Sequence, residues 1–366
     1  MQTPLQICAM SGLGECKMSS RPLVIGDLTA KIPVIQGGMG IGVSLSSLAG
    51  AVAAEGGIGI ISTAQIGYQD PEFKKNPIET NLRVIGEQIQ KARKLAKGGI
   101  IGVNIMVATR RYEEYVKAAA KAGADLIISG AGLPVNLPKL VENTKTKIAP
   151  IVSSIKSAKF ICKLWDKHYQ RVPDLVVVEG PLAGGHLGFS KEQLADIQMS
   201  EYDEEIKGII RTVSEYEKKY NAKIPVVVAG GIYERKDMEH YLSLGASGVQ
   251  MATRFVTTYE CDADIRYKEA YIKAKQEDIQ IVNSPVGMPG RAIRNSFIIN
   301  GEKKEENRKC YQCIEKCNPA ETPYCITKAL VNAVTGNVDE ALLFCGSNAY
   351  RAKKLEHVHD IMQEFA

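Results

Sequence analysis

The chain has 366 residues, of which 45% are hydrophobic and 24% charged, and its formal net charge is +5. That length allows one large barrel with an appendage or two ordinary domains, and the interleaving of Lys and Arg with Glu and Asp argues against a nucleic-acid surface. No apolar run approaches the roughly 18 residues of a membrane span, and a secretory signal is not expected at the N-terminus. The nine cysteines are therefore expected to be thiols or metal ligands in a cytoplasmic protein.

Short β-branched runs alternate with longer amphipathic stretches rich in Ala, Lys and Glu. The predicted strands, in chain order, are 32–36, 58–62, 100–106, 125–129, 147–153, 174–179, 223–229 and 248–251. The predicted helices that follow them are 45–54, 85–96, 112–122, 137–141, 158–168, 204–220, 235–244 and 264–274. Strands that are apolar throughout are buried on both faces, which is typical of parallel sheets.

Eight strand–helix units over roughly 250 residues predict an α/β chain folded as a (β/α)8 TIM barrel. A doubly wound open sheet is the competing architecture. It is disfavoured because no G-x-G-x-x-G follows the first strand, where Gly37-Gly-Met-Gly-Ile-Gly42 is only a loose imitation. The predicted organisation is an N-terminal extension at 1–22, the barrel at 23–300 and a helical, cysteine-containing C-terminal extension at 301–366.

Glycines with single polar residues between them stand at the ends of several predicted strands. Gly230-Gly231 follows the seventh strand, and Met251-Ala-Thr-Arg254 follows the eighth. Loops at these two places often form a phosphate site in barrels, where glycine lets the backbone approach closely and Thr253 can add a hydroxyl donor. The other glycine-rich loops would leave a flat floor, so a planar cofactor with one phosphate is expected, and FMN is the candidate.

The chain resembles the flavin-dependent nitronate monooxygenase (2-nitropropane dioxygenase) family and its close relative, the flavin-containing type II enoyl-ACP reductase, over about residues 20–300. The motifs that carry the resemblance are Pro33-Val-Ile-Gln-Gly-Gly-Met-Gly40, Gly102-Val-Asn-Ile-Met106, Gly130-Ala-Gly132, the run 179–188, Pro225-Val-Val-Val-Ala-Gly-Gly-Ile232 and Val249-Gln-Met-Ala-Thr-Arg-Phe255. The A-G-G-H-x-G element at 183–188 is the most specific. The chain departs from the pattern at Ala252, where relatives usually carry Gly, and at Phe189, where the reductases commonly carry Lys.

The resemblance implies an FMN-binding barrel with His186 beside the cofactor. The residues implied to bind FMN are Gly38, Met39, Asn104, Glu179, Gly184, Gly185, Gly230, Gly231, Gln250, Met251 and Thr253. In these families the histidine assists the chemistry as a hydrogen-bond donor or general base, tasks that suit an imidazole. The other four histidines, His168, His240, His357 and His359, lie in helical or tail patterns and are expected to be structural.

Three functions compete. In the first, an alkyl nitronate is oxidised with O2 through the flavin, and the substrate is a small molecule held near His186. In the second, NAD(P)H reduces FMN and an enoyl thioester is the acceptor. Arg291 and Arg294 could attract its phosphate-bearing carrier or the nicotinamide dinucleotide, or equally form a surface helix face. In the third, the protein transfers electrons or acts in assembly through its cysteine tail. A homodimer is left open.

The C-terminal extension begins with a charged link at 302–309 and continues with Cys310, Cys313, Cys317 and Cys325. Thiolates at this spacing suit zinc or an iron–sulfur cluster, and the alternative is reduced thiols packed as small apolar residues. The pattern then predicts helices at 326–334, 338–344 and 353–365, with a polar turn at 346–350. We expect this extension to pack over the barrel mouth and to shape the substrate pocket.

Overall fold

The computed structural model describes residues 21–285, 287–300 and 310–366. Almost all of the predicted N-terminal extension and the whole of the charged link at 302–309 lie outside the described residues. No helix in the described ranges is both long enough and apolar enough to cross a membrane.

The strands and helices follow the alternation that the sequence predicts. The strands are β1 Leu23–Ile25, β2 Leu28–Ala30, β3 Val34–Gln36, β4 Ile58–Ser62, β5 Ile100–Met106, β6 Leu126–Gly130, β7 Lys147–Val152, β8 Val176–Glu179, β9 Gly185–His186, β10 Val226–Ala229, β11 Gly248–Met251, β12 Ile279–Asn283 and β13 Pro289–Ile293. The helices are α1 Ser46–Ala54, α2 Pro77–Leu95, α3 Tyr112–Lys121, α4 Leu137–Leu140, α5 Ile155–Tyr169, α6 Lys191–Asp196, α7 Met199–Tyr220, α8 Arg235–Ser243, α9 Thr253–Val256, α10 Ile265–Lys273, α11 Ser296–Asn300, α12 Ile326–Val334 and α13 Val358–Phe365.

Eight of the strands form a closed parallel barrel in the order β3-β4-β5-β6-β7-β8-β10-β11. Closure comes from β11 pairing with β3, with Val249 opposite Val34. The predicted TIM barrel is confirmed, and the open doubly wound sheet is wrong. Because all strands of such a barrel run in one direction, their carboxyl ends meet at a single face.

Burial on both faces explains why the strands are apolar throughout. In β4, Ile60 packs into the barrel interior whereas Ile61 packs against the helices outside, and both are fully buried. The hairpin of β1 and β2 adds Leu23 and Ile25 to the interior cluster. There they meet Ile58, the first residue of β4, so the hairpin closes the end of the barrel opposite the strands' carboxyl ends.

The structure corrects three of the predicted elements. Helix α2 begins at Pro77 rather than at 85, since proline is well suited to the first turn of a helix. The predicted helix at 338–344 is wrong: a 3-10 turn covers Val338–Glu340, and the chain then extends so that Phe344 bridges to Ala292 of β13. Of the predicted helix at 353–365 only Val358–Phe365 is helical, as α13.

Candidate active site

One cavity opens at the carboxyl ends of the barrel strands. It is lined by His186 and by every residue that the sequence predicts to bind FMN. Its empty volume, counted with the solvent at its open mouth, is about 1770 Å³. The C-terminal segment supplies the opposite wall with Cys313, Ile314, Ile326, Thr327, Leu330 and the run 344–348. The cavity is therefore enclosed between the barrel and the C-terminal segment.

Backbone, rather than side chains, forms the floor of the cavity beside β3. A Cβ added to Gly38 would lie 2.4 Å from the Cβ of Asn104 and 3.3 Å from the Cγ2 of Ile60, so only glycine fits there. The amide of Met39 donates to Ser44 Oγ at 2.8 Å, which fixes the loop that follows. At Gly38 the wall of the cavity is therefore backbone, which lets a flat ring approach closely.

The loops after β8, β10 and β11 meet at one end of the cavity. Gly230 and Gly231 have φ angles of +100° and +81°, in the left-handed region that favours glycine. A Cβ on Gly230 would lie 2.8 Å from the amide nitrogen of Ala183, so these two loops are in close backbone contact. Thr253 is the first residue of α9, and its Oγ1 accepts a hydrogen bond from the amide of Gly346 at 3.0 Å. This is the end where the sequence predicts the phosphate.

Comparison with known proteins identifies the family. The model of the nitronate monooxygenase family matches residues 21–366. The chain belongs to the nitronate monooxygenase family. It is 28% identical over 303 residues to a probable nitronate monooxygenase of Staphylococcus saprophyticus, covering 77% of this chain and 80% of that relative. A probable nitronate monooxygenase of Staphylococcus haemolyticus is 24% identical over 362 residues, covering 92% and 93%.

Solved structures share the fold. FabK from Thermotoga maritima superposes with a TM-score of 0.69 and 25% identity, covering 92% of each chain. The nitroalkane oxidase of Streptomyces ansochromogenes has a TM-score of 0.68 and 18% identity, covering 91% of this chain and 94% of its own. The predicted resemblance is confirmed, and the protein is an oxidoreductase of this family.

Membership of this family implies a flavin, and the residues of the cavity fit one. Among the described residues, two buried side-chain oxygens have no hydrogen-bond partner, Gln250 Oε1 and Ser347 Oγ. Both residues line the cavity. Buried polar atoms are almost always paired, so unpaired ones indicate a polar ligand or water. A glycine floor flanked by such atoms suits a flat, polar ring with a substituted chain.

His186 is held on a small sheet at the edge of the cavity. Strand β9 pairs with β13, which places His186 opposite Gly290. The ring Nε2 is 2.7 Å from Ser284 Oγ, and the ring packs edge-on against Phe344 at a centroid distance of 4.9 Å. Burial lowers the pKa of His186 to about 4. At neutral pH the imidazole is therefore uncharged, with one nitrogen as donor and the other as acceptor.

Glu179 brings a second titratable group to the cavity, at the end of β8. Its backbone carbonyl accepts a hydrogen bond from the hydroxyl of Tyr202 at 3.0 Å, which fixes the strand end. Burial raises the pKa of Glu179 to about 7. Below that pH the side chain is a carboxylic acid, which can donate a hydrogen bond as well as accept one.

Sequence reasoning did not single out Ser284, Phe344 or Ser347 as site residues. Ser284 follows β12, in a hairpin that no sequence pattern predicts beside His186. Phe344 lay in a predicted helix. Only Ser347 had a signal, because it belongs to the polar turn that interrupts the apolar pattern of the C-terminal segment.

The four cysteines of the C-terminal extension gain no support as metal ligands, and of the four only Cys313 lines the cavity. Within 21–285, 287–300 and 310–366, no group of three or more His, Cys, Asp and Glu side chains is arranged to hold a metal ion. Burial, with smaller contributions from the neighbouring Cys325, Cys317 and Cys310, raises the pKa of Cys313 to about 11. The zinc or iron–sulfur site at these cysteines stays a prediction.

Arg291 and Arg294 do not form the surface helix face that was one of their two interpretations. Arg291 lies in β13, is 9% exposed and donates to the carbonyl of Ala183. Arg294 is exposed, and its amide donates to the carbonyl of Asp278 at 2.7 Å. Arg291 therefore ties the small sheet to the loop that carries His186.

Proposed function

We propose that this protein is an FMN-dependent oxidoreductase that oxidises alkyl nitronates with O2. The observation that carries the proposal is the cavity in which an uncharged histidine stands beside a glycine floor at the carboxyl ends of a TIM barrel. The family match supports the same class of reaction.

The residues predicted to bind FMN would hold it between the β3 loop and the loops after β10 and β11. Bound FMN would supply two-electron redox chemistry to the nitronate and O2. The uncharged imidazole of His186 would donate a hydrogen bond to an oxygen of the anionic nitronate. Ser284 positions that ring through the 2.7 Å contact of its Oγ with Nε2, and the other ring nitrogen, Nδ1, takes the complementary donor or acceptor role.

The C-terminal segment would keep water away from the reacting atoms. Ile314, Ile326 and Leu330 line the cavity opposite the barrel. Apolar cover strengthens the hydrogen bonds inside a site, because fewer water molecules compete for them. An alkyl group of the nitronate would pack against these side chains.

A second function, NAD(P)H-dependent reduction of an enoyl thioester, is favoured by the same apolar wall, which would accept an acyl chain. The likeness to FabK over 92% of both chains supports it as well. In this reaction His186 would donate to the thioester carbonyl. Electron transfer through the cysteine tail has no comparable support, since the described residues offer no metal-holding group.

The test is anaerobic mixing of the purified, FMN-loaded protein with a nitronate and, separately, with NADH or NADPH. Loss of the visible flavin absorption with the nitronate but not with the nicotinamides is the expected result. Rapid loss with a nicotinamide, followed by recovery on addition of an enoyl thioester, would replace the proposal with the reductase. A protein that takes up no FMN would overturn both.

We place the reaction in the cytoplasm. The structure records no disulfide between the cysteines that it describes, which are Cys162, Cys261, Cys310, Cys313, Cys317, Cys325 and Cys345. Thiols persist where glutathione and thioredoxin keep them reduced.

A further inference from the structure

The turn at 346–348 of the C-terminal segment lies across the phosphate end of the cavity. Its first residue donates an amide hydrogen bond to Thr253 Oγ1 at 3.0 Å. The amide of Ser347 donates to the carbonyl of Leu182 at 3.2 Å, and the side-chain amide of Asn348 donates to the carbonyl of Gly231 at 2.7 Å. The turn is therefore fixed to all three loops that meet there.

These contacts leave two hydroxyl groups with hydrogens to donate. The amide of Gly346 occupies an acceptor position on Thr253 Oγ1, so the hydroxyl of Thr253 keeps its own proton for another acceptor. Ser347 Oγ is buried, lines the cavity and has no partner among the described residues. A buried hydroxyl without a partner destabilises the protein unless a ligand or a water molecule satisfies it.

We propose that Ser347 binds the phosphate of the flavin mononucleotide, so that the C-terminal segment completes the phosphate site of the barrel. This inference rests on the proposed flavin function. A phosphate near neutral pH accepts hydrogen bonds through several charged oxygens, so it binds where several hydrogen-bond donors meet. Acidic groups would oppose it, and of the described residues that line the cavity only Glu179 is acidic.

The test compares FMN with riboflavin, which lacks the phosphate. Dissociation constants for both ligands are measured by quenching of flavin fluorescence for the wild type and for Ser347→Ala. The hydroxyl donates to a charged group, so we expect the FMN constant of the variant to rise about tenfold to a hundredfold and its riboflavin constant to stay within about twofold. Ser200→Ala, at an exposed serine, is the matched control and should leave both constants unchanged.

A loss of folding stability is not expected to account for weaker FMN binding in Ser347→Ala. Removing an unpaired buried hydroxyl should leave the melting temperature of the cofactor-free protein unchanged or higher. An unchanged FMN constant in Ser347→Ala would overturn the inference, and so would equal weakening of FMN and riboflavin, which would mean that Ser347 only shapes the turn. Failure of the wild type to bind FMN would overturn the flavin function itself. A wild type that binds FMN but oxidises no nitronate would remove the substrate assignment and leave the role of Ser347 standing.

Discussion

Replacing Gly184 with alanine tests whether the C-terminal segment is seated directly on the barrel mouth. A Cβ added there would lie 2.6 Å from the carbonyl carbon of Cys345 and 2.6 Å from the amide nitrogen of Gly346. Both atoms are backbone, so no side-chain rotation relieves the clash. Carbon atoms in contact are normally about 3.5–4.0 Å apart, so the segment must move by about 1 Å.

That movement has a cost that follows from the contacts. Overpacking of this kind destabilises proteins by about 1–3 kcal/mol. The shift also strains the hydrogen bonds from Gly346 to Thr253 and from Ser347 to Leu182, worth about 0.5–1.5 kcal/mol each. We expect the free energy of unfolding to fall by about 2–4 kcal/mol. With an unfolding entropy of about 2.1 cal/mol/K per residue, the melting temperature should fall by about 3–5 °C.

The assay is thermal unfolding followed by circular dichroism, together with titration of FMN. Gly184→Ala should melt earlier and bind FMN more weakly, because the displaced segment carries Ser347. The matched control is Gly86→Ala within α2. There the nearest atom to an added Cβ is the Cβ of Ala122, at 3.8 Å. Relief of a helical glycine should stabilise that variant by about 1 kcal/mol. If Gly184→Ala melts and binds FMN like the wild type while the control behaves as expected, the segment does not rest on Gly184.

His186→Ala should lower kcat for the nitronate by about a hundredfold or more while FMN stays bound. Steady-state turnover measures kcat, and the visible absorption of the purified variant measures the bound FMN. An unchanged kcat would remove the catalytic role of His186. Ser284→Ala should give a smaller loss of kcat with KM nearly unchanged, because it frees the imidazole ring without removing it; a loss as large as that of His186→Ala would mean that the loop had collapsed. In the folded protein the pKa of Glu179 is about 7, above its ordinary value near 4.5. Between these two pH values the folded protein binds more protons than the unfolded chain, so the free energy of unfolding falls as the pH rises from about 4.5 to about 7. Glu179→Gln should therefore gain stability relative to the cofactor-free wild type between pH 5 and pH 8, by roughly 1–3 kcal/mol in chemical denaturation; a difference that does not change with pH would contradict the shift.

The barrel could be predicted because each of its strands is recognisable in the sequence as an apolar run. The predicted bounds of β4 and β5 match the structure residue for residue, since strands buried on both faces are uninterrupted apolar runs between polar helices. The glycine-rich loops at the strand ends could also be recognised in the sequence. They form one site in space because a parallel barrel brings all carboxyl ends to one face.

The small sheet beside His186 could not be predicted in the same way. Strands β12 and β13 are only partly apolar, and Arg291 in β13 is a charged residue that becomes buried. Its partner is the carbonyl of Ala183, 108 positions away in the chain. Patterns of neighbouring residues in the sequence do not predict a contact over this distance along the chain. The same holds for Phe344, whose extended conformation depends on its bridge to Ala292.

The C-terminal segment packs with the barrel rather than standing apart from it, because it is anchored both at the cavity and on the outside of the barrel. At the cavity, the turn at 346–348 is hydrogen-bonded to Leu182, Gly231 and Thr253. On the outside of the barrel, Met362 and Phe365 of α13 are fully buried in the same core cluster as the barrel helices. Arg254, next to Thr253, is 8% exposed and pairs with Glu356 at 3.1 Å and Glu364 at 2.7 Å. A segment held at these points cannot leave without exposing core side chains and a buried charge, so whatever loosens it must also loosen the loop that carries Thr253.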